Sequence, residues 1–310
     1  MNILIGFDGS ACARDAIQQL DRAGLPSDAK VHVASAGDAW PSLPKLTDEP
    51  TDKTLDHQTS PIVRKARALV AARLAEAHAL AEEGSSLVQK RFPSWKVSHA
   101  GYAASPPETL IQPPDFTPDL VVVGSHGRSA LGRMVMGSVS QSVLAYSKCS
   151  VRVSRRHEDS PASSPTRLII GIDGSANSAL AVSAVAQRVW APGTEVKVVA
   201  VLNAKLGSAL ILPSTPQHPA WLWAGEGDSE SWAHHATNVA ARDLAAAGLT
   251  ATTLVGEGDP KTVLVAEAAN WVAHCLFLGA KGHNRLERIL LGSVTAAVAA
   301  RAHCSVEVVR

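Results

Sequence analysis

Short apolar runs alternate with longer amphipathic stretches along the whole chain. In the first half, Ile3–Phe7, Val31–Ala36, Val97–Tyr102, Leu120–Val123 and Val151–Val153 read as strands, and residues 11–22, 61–91, 106–113 and 138–147 between them read as helices. In the second half, the strand segments are Leu168–Ile172, Val196–Leu202, Thr250–Val255, Leu276–Leu278 and Val306–Val309, and the helical ones fall near 176–190, 228–247, 260–273 and 293–302. Continuous Val, Ile and Leu runs mark strands buried on both faces, as in a parallel sheet. Strict alternation with helices then predicts a doubly wound α/β layer.

The alternation is one unit written twice. NILIGFDGS at 2–10 returns as RLIIGIDGS at 167–175, and GSHGRSALGRMVMGS at 124–138 returns as GAKGHNRLERILLGS at 279–293. Glycines, Leu131 and Leu286, Arg133 and Arg288, and the closing Gly-Ser coincide without a gap. The tails match as well, CSVRVSR from Cys149 and CSVEVVR from Cys304. A tandem duplication of a domain-sized unit, about 150 residues, follows. The segment SRRHEDSPASSPT at 154–166 is charged, then rich in Ser and Pro, and reads as a solvated linker. The expected division is therefore a domain at 1–154, a linker at 155–165 and a domain at 166–310.

Composition narrows the function. With 46% hydrophobic and 18% charged residues, the 310-residue chain can build real cores. A net charge of +1 lacks the basic excess of a protein that coats nucleic acid or an anionic membrane. The apolar stretches are interrupted by Lys205, Lys261 or Glu267 before reaching the length of a membrane span. Four scattered cysteines form no CxxC pair and suit a reducing compartment. MNILIGFDGS has no basic start ahead of an apolar core and reads as a buried strand. The expectation is a soluble, cytoplasmic protein with neither nucleic-acid nor membrane partners.

Ligands of open α/β sheets sit beyond the carboxyl ends of the strands. Two turns per half stand there. Asp8-Gly9-Ser10 and Asp173-Gly174-Ser175 follow the first strand of each half, where Gly allows a tight turn and Ser can cap the next helix. The Asp could accept a hydrogen bond from a base or ribose, or the turn could serve capping alone. Gly124-x2-Gly127-x9-Gly137-Ser138 and Gly279-x2-Gly282-x9-Gly292-Ser293 follow the fourth strand. Their glycines let backbone N–H groups approach an anion, and Gly-Ser opens a helix whose N-terminus offers free donors. That is phosphate chemistry without a Walker lysine. Competing motifs fail: no GxGxxG follows the first strand, and Gly256-Glu-Gly-Asp-Pro-Lys261-Thr262 places Pro260 where a P-loop needs Gly.

At these residues both halves resemble the universal stress protein family, and the whole chain looks like a tandem member. The resemblance rests on the complete G-2x-G-9x-G-(S/T) pattern in each half, the hydrophobic-DGS turn, Gly101-x4-Pro106 and Gly258-Asp-Pro260 before a helix, and the closing Cys-x-Val strand. It implies two five-stranded parallel sheets of Rossmann-like order 3-2-1-4-5, paired through their last strands as an internal pseudo-dimer, with a further homodimer open. It implies ATP, with Mg2+, in each half. Phosphates would lie on Gly127, Gly137 and Ser138, with Gly124 near the ribose, and the adenine end would meet Asp8, Gly9 and Ala36. The matching positions are Gly279, Gly282, Gly292, Ser293, Asp173, Gly174 and Val201. Ser150, Ser305 and Ala36 depart from the family: the serines stand where Pro is common, and Ala36 is smaller than the usual aliphatic residue. Between the halves, His126 and Lys281 fall at the same position, where Lys281 could add charge to phosphate binding or simply be solvated.

Other tempting residues read as structure. His234-His235 are adjacent and cannot share a helix face, so no metal site is expected. Cys149 and Cys304 read as packed thiols. The dissimilar stretches 37–60 and 203–230, the latter with Trp221-Leu222-Trp223, read either as lids or partner surfaces or as packing inserts. The favoured function is an ATP-dependent stress regulator or sensor with little hydrolysis, acting on an unidentified protein partner. The alternatives are an ATP-hydrolysing or nucleotide-transferring enzyme, and an interaction scaffold with vestigial pockets.

Overall fold

The computed structural model describes residues 1–37, 61–127, 136–156, 164–202, 229–282 and 291–310, with backbone alone at 61–63 and 229. The stretches 37–60 and 203–230, with Trp221-Leu222-Trp223, fall largely or wholly outside the described residues, as do Leu131, Arg133, Leu286 and Arg288.

Among the described residues the first half runs β1 (Asn2–Gly6), α1 (Ala11–Gln18), a 3-10 turn (Gln19–Arg22), β2 (Lys30–Ala36), α2 (Pro61–Arg91), β3 (Lys96–Tyr102), α3 (Pro106–Ile111), β4 (Leu120–Gly124), α4 (Ser138–Tyr146) and β5 (Ser150–Ser154). The second runs β6 (Arg167–Ile172), α5 (Ala176–Ala186), β7 (Glu195–Leu202), α6 (Ser229–Ala246), β8 (Thr250–Glu257), α7 (Pro260–Asn270), β9 (Cys275–Gly279), α8 (Ser293–Arg301) and β10 (Ser305–Val309).

The predicted strands form, and three helices stop early for local reasons. Gln112 precedes Pro113, which disfavours helical backbone there, so α3 ends at Ile111. Beyond α5, Trp190 turns back and its indole N–H donates to the Val185 carbonyl at 2.8 Å, occupying an acceptor that a longer helix would use. After α7, Val272 adopts a left-handed φ of 53°, which no continuing helix tolerates.

The strands build one sheet in the order β3-β2-β1-β4-β5-β10-β9-β6-β7-β8. Each half is parallel and ordered 3-2-1-4-5, and the halves join through an antiparallel β5–β10 pair that sets Arg152 opposite Glu307. β4 is buried along its whole length, as a strand covered on both faces must be. One apolar cluster runs unbroken across the junction, from Val121 and Val151 to Val306 and Leu276. On the opposite face each half keeps its own core, around Ile5 and Ile17 in the first and Ile170 and Val182 in the second.

Ser150 and Ser305, the departures from the family pattern, belong to this junction. The Ser305 hydroxyl accepts the Arg155 backbone N–H at 3.1 Å, and the Ser150 hydroxyl accepts that of Arg310 at 3.3 Å. A proline in either place would offer no such acceptor.

Cys275 and Cys304 are buried, whereas Cys12 and Cys149 are partly accessible. Burial pushes the Cys275 thiol up to about 11 and that of Cys304 up to about 12, far from the reactive thiolate range. Cys149, expected to be packed, is only partly covered, though burial raises its thiol as well, so at mildly alkaline pH a maleimide should modify Cys12 fastest, Cys149 more slowly, and Cys275 and Cys304 only after unfolding. Mass mapping of the modified peptides checks this; equal modification of all four would contradict the burial of Cys275 and Cys304.

Candidate functional site

The first turn of each half is built by its own Asp. After β1, the Asp8 carboxylate accepts the Ser10 N–H at 3.0 Å, Gly9 takes φ 74°, and the Ser10 hydroxyl caps α1 by accepting the Ala13 N–H at 3.1 Å. After β6, Asp173 accepts the Ser175 N–H at 3.0 Å, Gly174 takes φ 79°, and Ser175 caps α5 through the Ser178 N–H at 3.2 Å. Both glycines occupy left-handed backbone, which a side chain would strain. The capping role expected of the serines is present in both copies.

The same Asp residues reach the second turn. A Cβ on Gly127 would lie 2.9 Å from the outer carboxylate oxygen of Asp8, and one on Gly282 would lie 2.5 Å from that of Asp173. Glycine at these places thus lets the β4–α4 loop close against the β1–α1 turn, and the β9–α8 loop against the β6–α5 turn. The first motif glycines do different work. A Cβ on Gly124 would meet the Cys12 backbone at 2.9 Å, and one on Gly279 the Asn177 backbone at 2.5 Å, so they let α1 and α5 sit directly on the sheet.

The third motif glycines start the helices. Gly137 and Gly292 are the N-cap residues of α4 and α8, in extended backbone, and as glycines supply no side-chain cap to either helix. Their own N–H groups close the loops by donating to the Ser125 carbonyl at 2.9 Å and the Ala280 carbonyl at 2.8 Å. Ser138 and Ser293, next in line, are exposed. The first-turn N–H groups of such a helix have no intrahelical partner and carry the positive end of its dipole.

Sequence reasoning missed the anchors beneath these helices. The Ser140 hydroxyl donates to the Gly124 carbonyl at 2.7 Å, and Thr295 donates to the Gly279 carbonyl at 2.9 Å. A hydroxyl two residues after the motif serine, in both copies, was the available signal.

Ala36 and Val201 lie at the carboxyl edge beside these turns. Gly6 pairs with Ala34 and Ile172 with Ala200, which sets Ala36 level with Asp8 and Val201 level with Asp173, while Ala36 still pairs with Tyr102 of β3 and Val201 with Gly256 of β8. Both are half-buried.

The copies are not identical. Arg14 braces the first turn by donating to the Gly9 carbonyl at 2.6 Å while pairing with Glu83. In the second, Trp232 of α6 lies against the turn, so close that a Cβ on Gly174 would overlap its ring. The Lys281 carbonyl accepts the Ser175 hydroxyl at 3.3 Å, whereas His126 pairs with the Ser125 hydroxyl at 2.9 Å. Arg128 and His283 lie outside the described residues. Among the described residues no group of three or more His, Cys, Asp or Glu side chains is placed to hold a metal ion, and His234 sits 4.0 Å from Glu230 on one exposed helix face. Among them, too, no helix is long and apolar enough to cross a membrane.

Fold and turns together define a two-domain, doubly wound α/β protein with two like loop clusters on the carboxyl edge of a shared sheet. The chain belongs to the universal stress protein family, whose pattern matches residues 1–155 and, a second time, 165–310. A universal stress protein of Mycolicibacterium smegmatis (strain ATCC 700084 / mc(2)155) is 32% identical over 189 residues, 58% of this chain and 57% of that protein. The matched segment thus spans little more than half of that curated relative. Among solved structures, a universal stress protein from Archaeoglobus fulgidus DSM 4304 is similar over 100% of this chain and 96% of its own, with a TM-score of 0.60 and 18% identity. A functionally unknown protein from Pseudomonas aeruginosa PAO1 is similar over 99% and 92%, with a TM-score of 0.58 and 12% identity. At those identities the likeness is one of fold.

Proposed function

We propose that each half binds an adenine nucleotide at its carboxyl-edge loop cluster, and that the protein acts as an ATP-dependent regulator or sensor in a stress response, with little hydrolysis. The observation that carries this reading is the close approach of Asp8 to Gly127, and of Asp173 to Gly282, beside a helix whose N-cap residue is a glycine with no side chain to cap it. An acceptor for the base or ribose and donors for phosphate thereby share one edge in both copies. In this reading Gly127, Gly137 and Ser138, and their copies Gly282, Gly292 and Ser293, hold phosphate. Asp8, Gly9 and Ala36, with Asp173, Gly174 and Val201, frame the adenine end, and Gly124 and Gly279 lie near the ribose. Mg2+ would arrive with the nucleotide as its counter-ion. Four free cysteines accord with a cytoplasmic location.

Calorimetric titration of Mg-ATP into nucleotide-free protein tests the reading. Two sites per chain are expected, with Gly137→Val removing one and Gly292→Val the other. Either variant should cost the empty fold about 1 kcal/mol or less, because among the described residues a Cβ on Gly137 or Gly292 would have its nearest neighbour at 3.6 or 3.4 Å. Absence of binding in the wild type would favour an interaction scaffold. Rapid multiple turnover of ATP would favour an enzyme.

A further inference from the structure

Each last strand is followed by an arginine that crosses the junction between the halves. Arg155 follows β5, and its guanidinium donates to the Ala299 carbonyl at 2.5 Å and the Cys304 carbonyl at 3.5 Å. Arg310 follows β10 and returns the contact, donating to the Leu144 carbonyl at 2.5 Å and the Cys149 carbonyl at 3.2 Å. The arrangement is two-fold symmetric in every partner. The helices reached are α8 and α4, the two that begin at the motif Gly-Ser.

Leu144 and Ala299 occupy the last turns of these helices, where carbonyls run out of intrahelical donors. A cation there satisfies a carbonyl and complements the negative end of the helix dipole. α4 and α8 are short, so a clamp at one end fixes the direction of the N–H groups at the other. The last strands also hold the glycine loops of their own halves: Ser125 donates its N–H to the Ser154 carbonyl at 3.1 Å, and Ala280 to the Val309 carbonyl at 3.0 Å. Arg155 and Arg310 are the next residues along. One residue step therefore links the loop of one site to the phosphate helix of the other.

We infer that Arg310 is a positioning residue for the first half's site and Arg155 for the second's, so that each half completes the site of its neighbour. The inference rests on the nucleotide reading above. Neither arginine touches the ligand; each acts through the helix it clamps.

The test crosses two pairs of variants in the full chain. In a Gly292→Val background, where only the first site binds, Arg310→Ala should weaken Mg-ATP binding about fivefold or more, the lower end of couplings between sites, and Arg155→Ala should leave it within about twofold. In a Gly137→Val background the dependence should reverse. Arg310→Lys and Arg155→Lys keep the charge but lose the forked hydrogen bonding, and should show the same crossed pattern at smaller amplitude. They also serve if an alanine variant fails to fold. A merely structural role would weaken both sites alike or the site of the arginine's own half; either result, or no effect, overturns the inference. If the two background variants bind no nucleotide at all, the nucleotide reading falls and this inference with it. If they bind and the pattern is uncrossed, only the inference falls.

Discussion

Glu307→Ala is expected to destabilise the protein by about 3–5 kcal/mol, the cost of stranding buried charges without their partner. Glu307 and Arg152 are 0% and 1% exposed, and Arg188 is 10% exposed at its side chain. One carboxylate serves both cations: it accepts from Arg152 at 3.1 Å and from Arg188 at 3.0 Å, with a second, shorter contact to Arg188. Arg152 has a further contact to the Cys275 sulfur at 3.2 Å, while its Nε has no hydrogen-bond partner among the described residues. Without Glu307 two largely buried guanidinium groups would lose the carboxylate they share. Against a typical stability of about 5–15 kcal/mol, the loss is a large fraction. Urea unfolding at neutral pH measures it, and a variant that unfolds with the wild type would refute the argument. Exchanging the charges, Arg152→Glu with Glu307→Arg, should not restore stability, because Arg188 would then face an arginine.

The same triad sets an acid limb. Burial alone would raise the Glu307 carboxyl, but Arg188 and then Arg152 outweigh it and hold the group below the ordinary carboxylate range. A carboxyl depressed in the folded state contributes its full stability above the unfolded value of about 4.3, and loses it as pH falls through the folded value. Stability of the wild type should therefore fall on acidification in that window, and Glu307→Gln should flatten the fall while lowering stability at neutral pH.

That triad also shows where reading the sequence stopped. The strands and the two loop clusters follow from local features, apolar runs, glycine spacing and serine caps, whereas the strand order comes only with the family resemblance. Each local feature is written within a dozen or so residues, and the duplication writes each twice. The tails CSVRVSR and CSVEVVR differ at a charged position, Arg152 against Glu307, which looks like ordinary drift between copies. Only the antiparallel β5–β10 register puts those two residues face to face at the centre of the junction. Pairing like halves would then oppose two arginines or two glutamates in the interior, so the difference favours union of unlike halves. Ser150 and Ser305 were equally opaque: their partners, Arg310 and Arg155, lie in the other half of the chain. So was the packing of Trp232 on Gly174, which joins a helix to a turn more than fifty residues earlier.

The motif glycines, read in sequence as a single phosphate-binding pattern, should separate into two classes when substituted. Gly279→Val is expected to cost about 3 kcal/mol, the upper end of overpacking, because its Cβ would press on the Asn177 backbone, which has no rotamer to yield with. Gly292→Val should cost about 1 kcal/mol or less, the price of a poorer N-cap residue. Its φ of −68° suits any residue, and among the described residues its nearest neighbour would be an ordinary contact at 3.4 Å. Thermal unfolding without nucleotide measures both. Added Mg-ATP should then raise the melting temperature of Gly292→Val less than that of the wild type, since one of two sites is gone. The contrast distinguishes what the motif does for the fold from what it does for a ligand. If Gly292→Val were as destabilising as Gly279→Val, the third glycine would be retained for packing. The pattern would then say nothing about phosphate, whereas an intact fold with one lost site ties that glycine to the ligand alone.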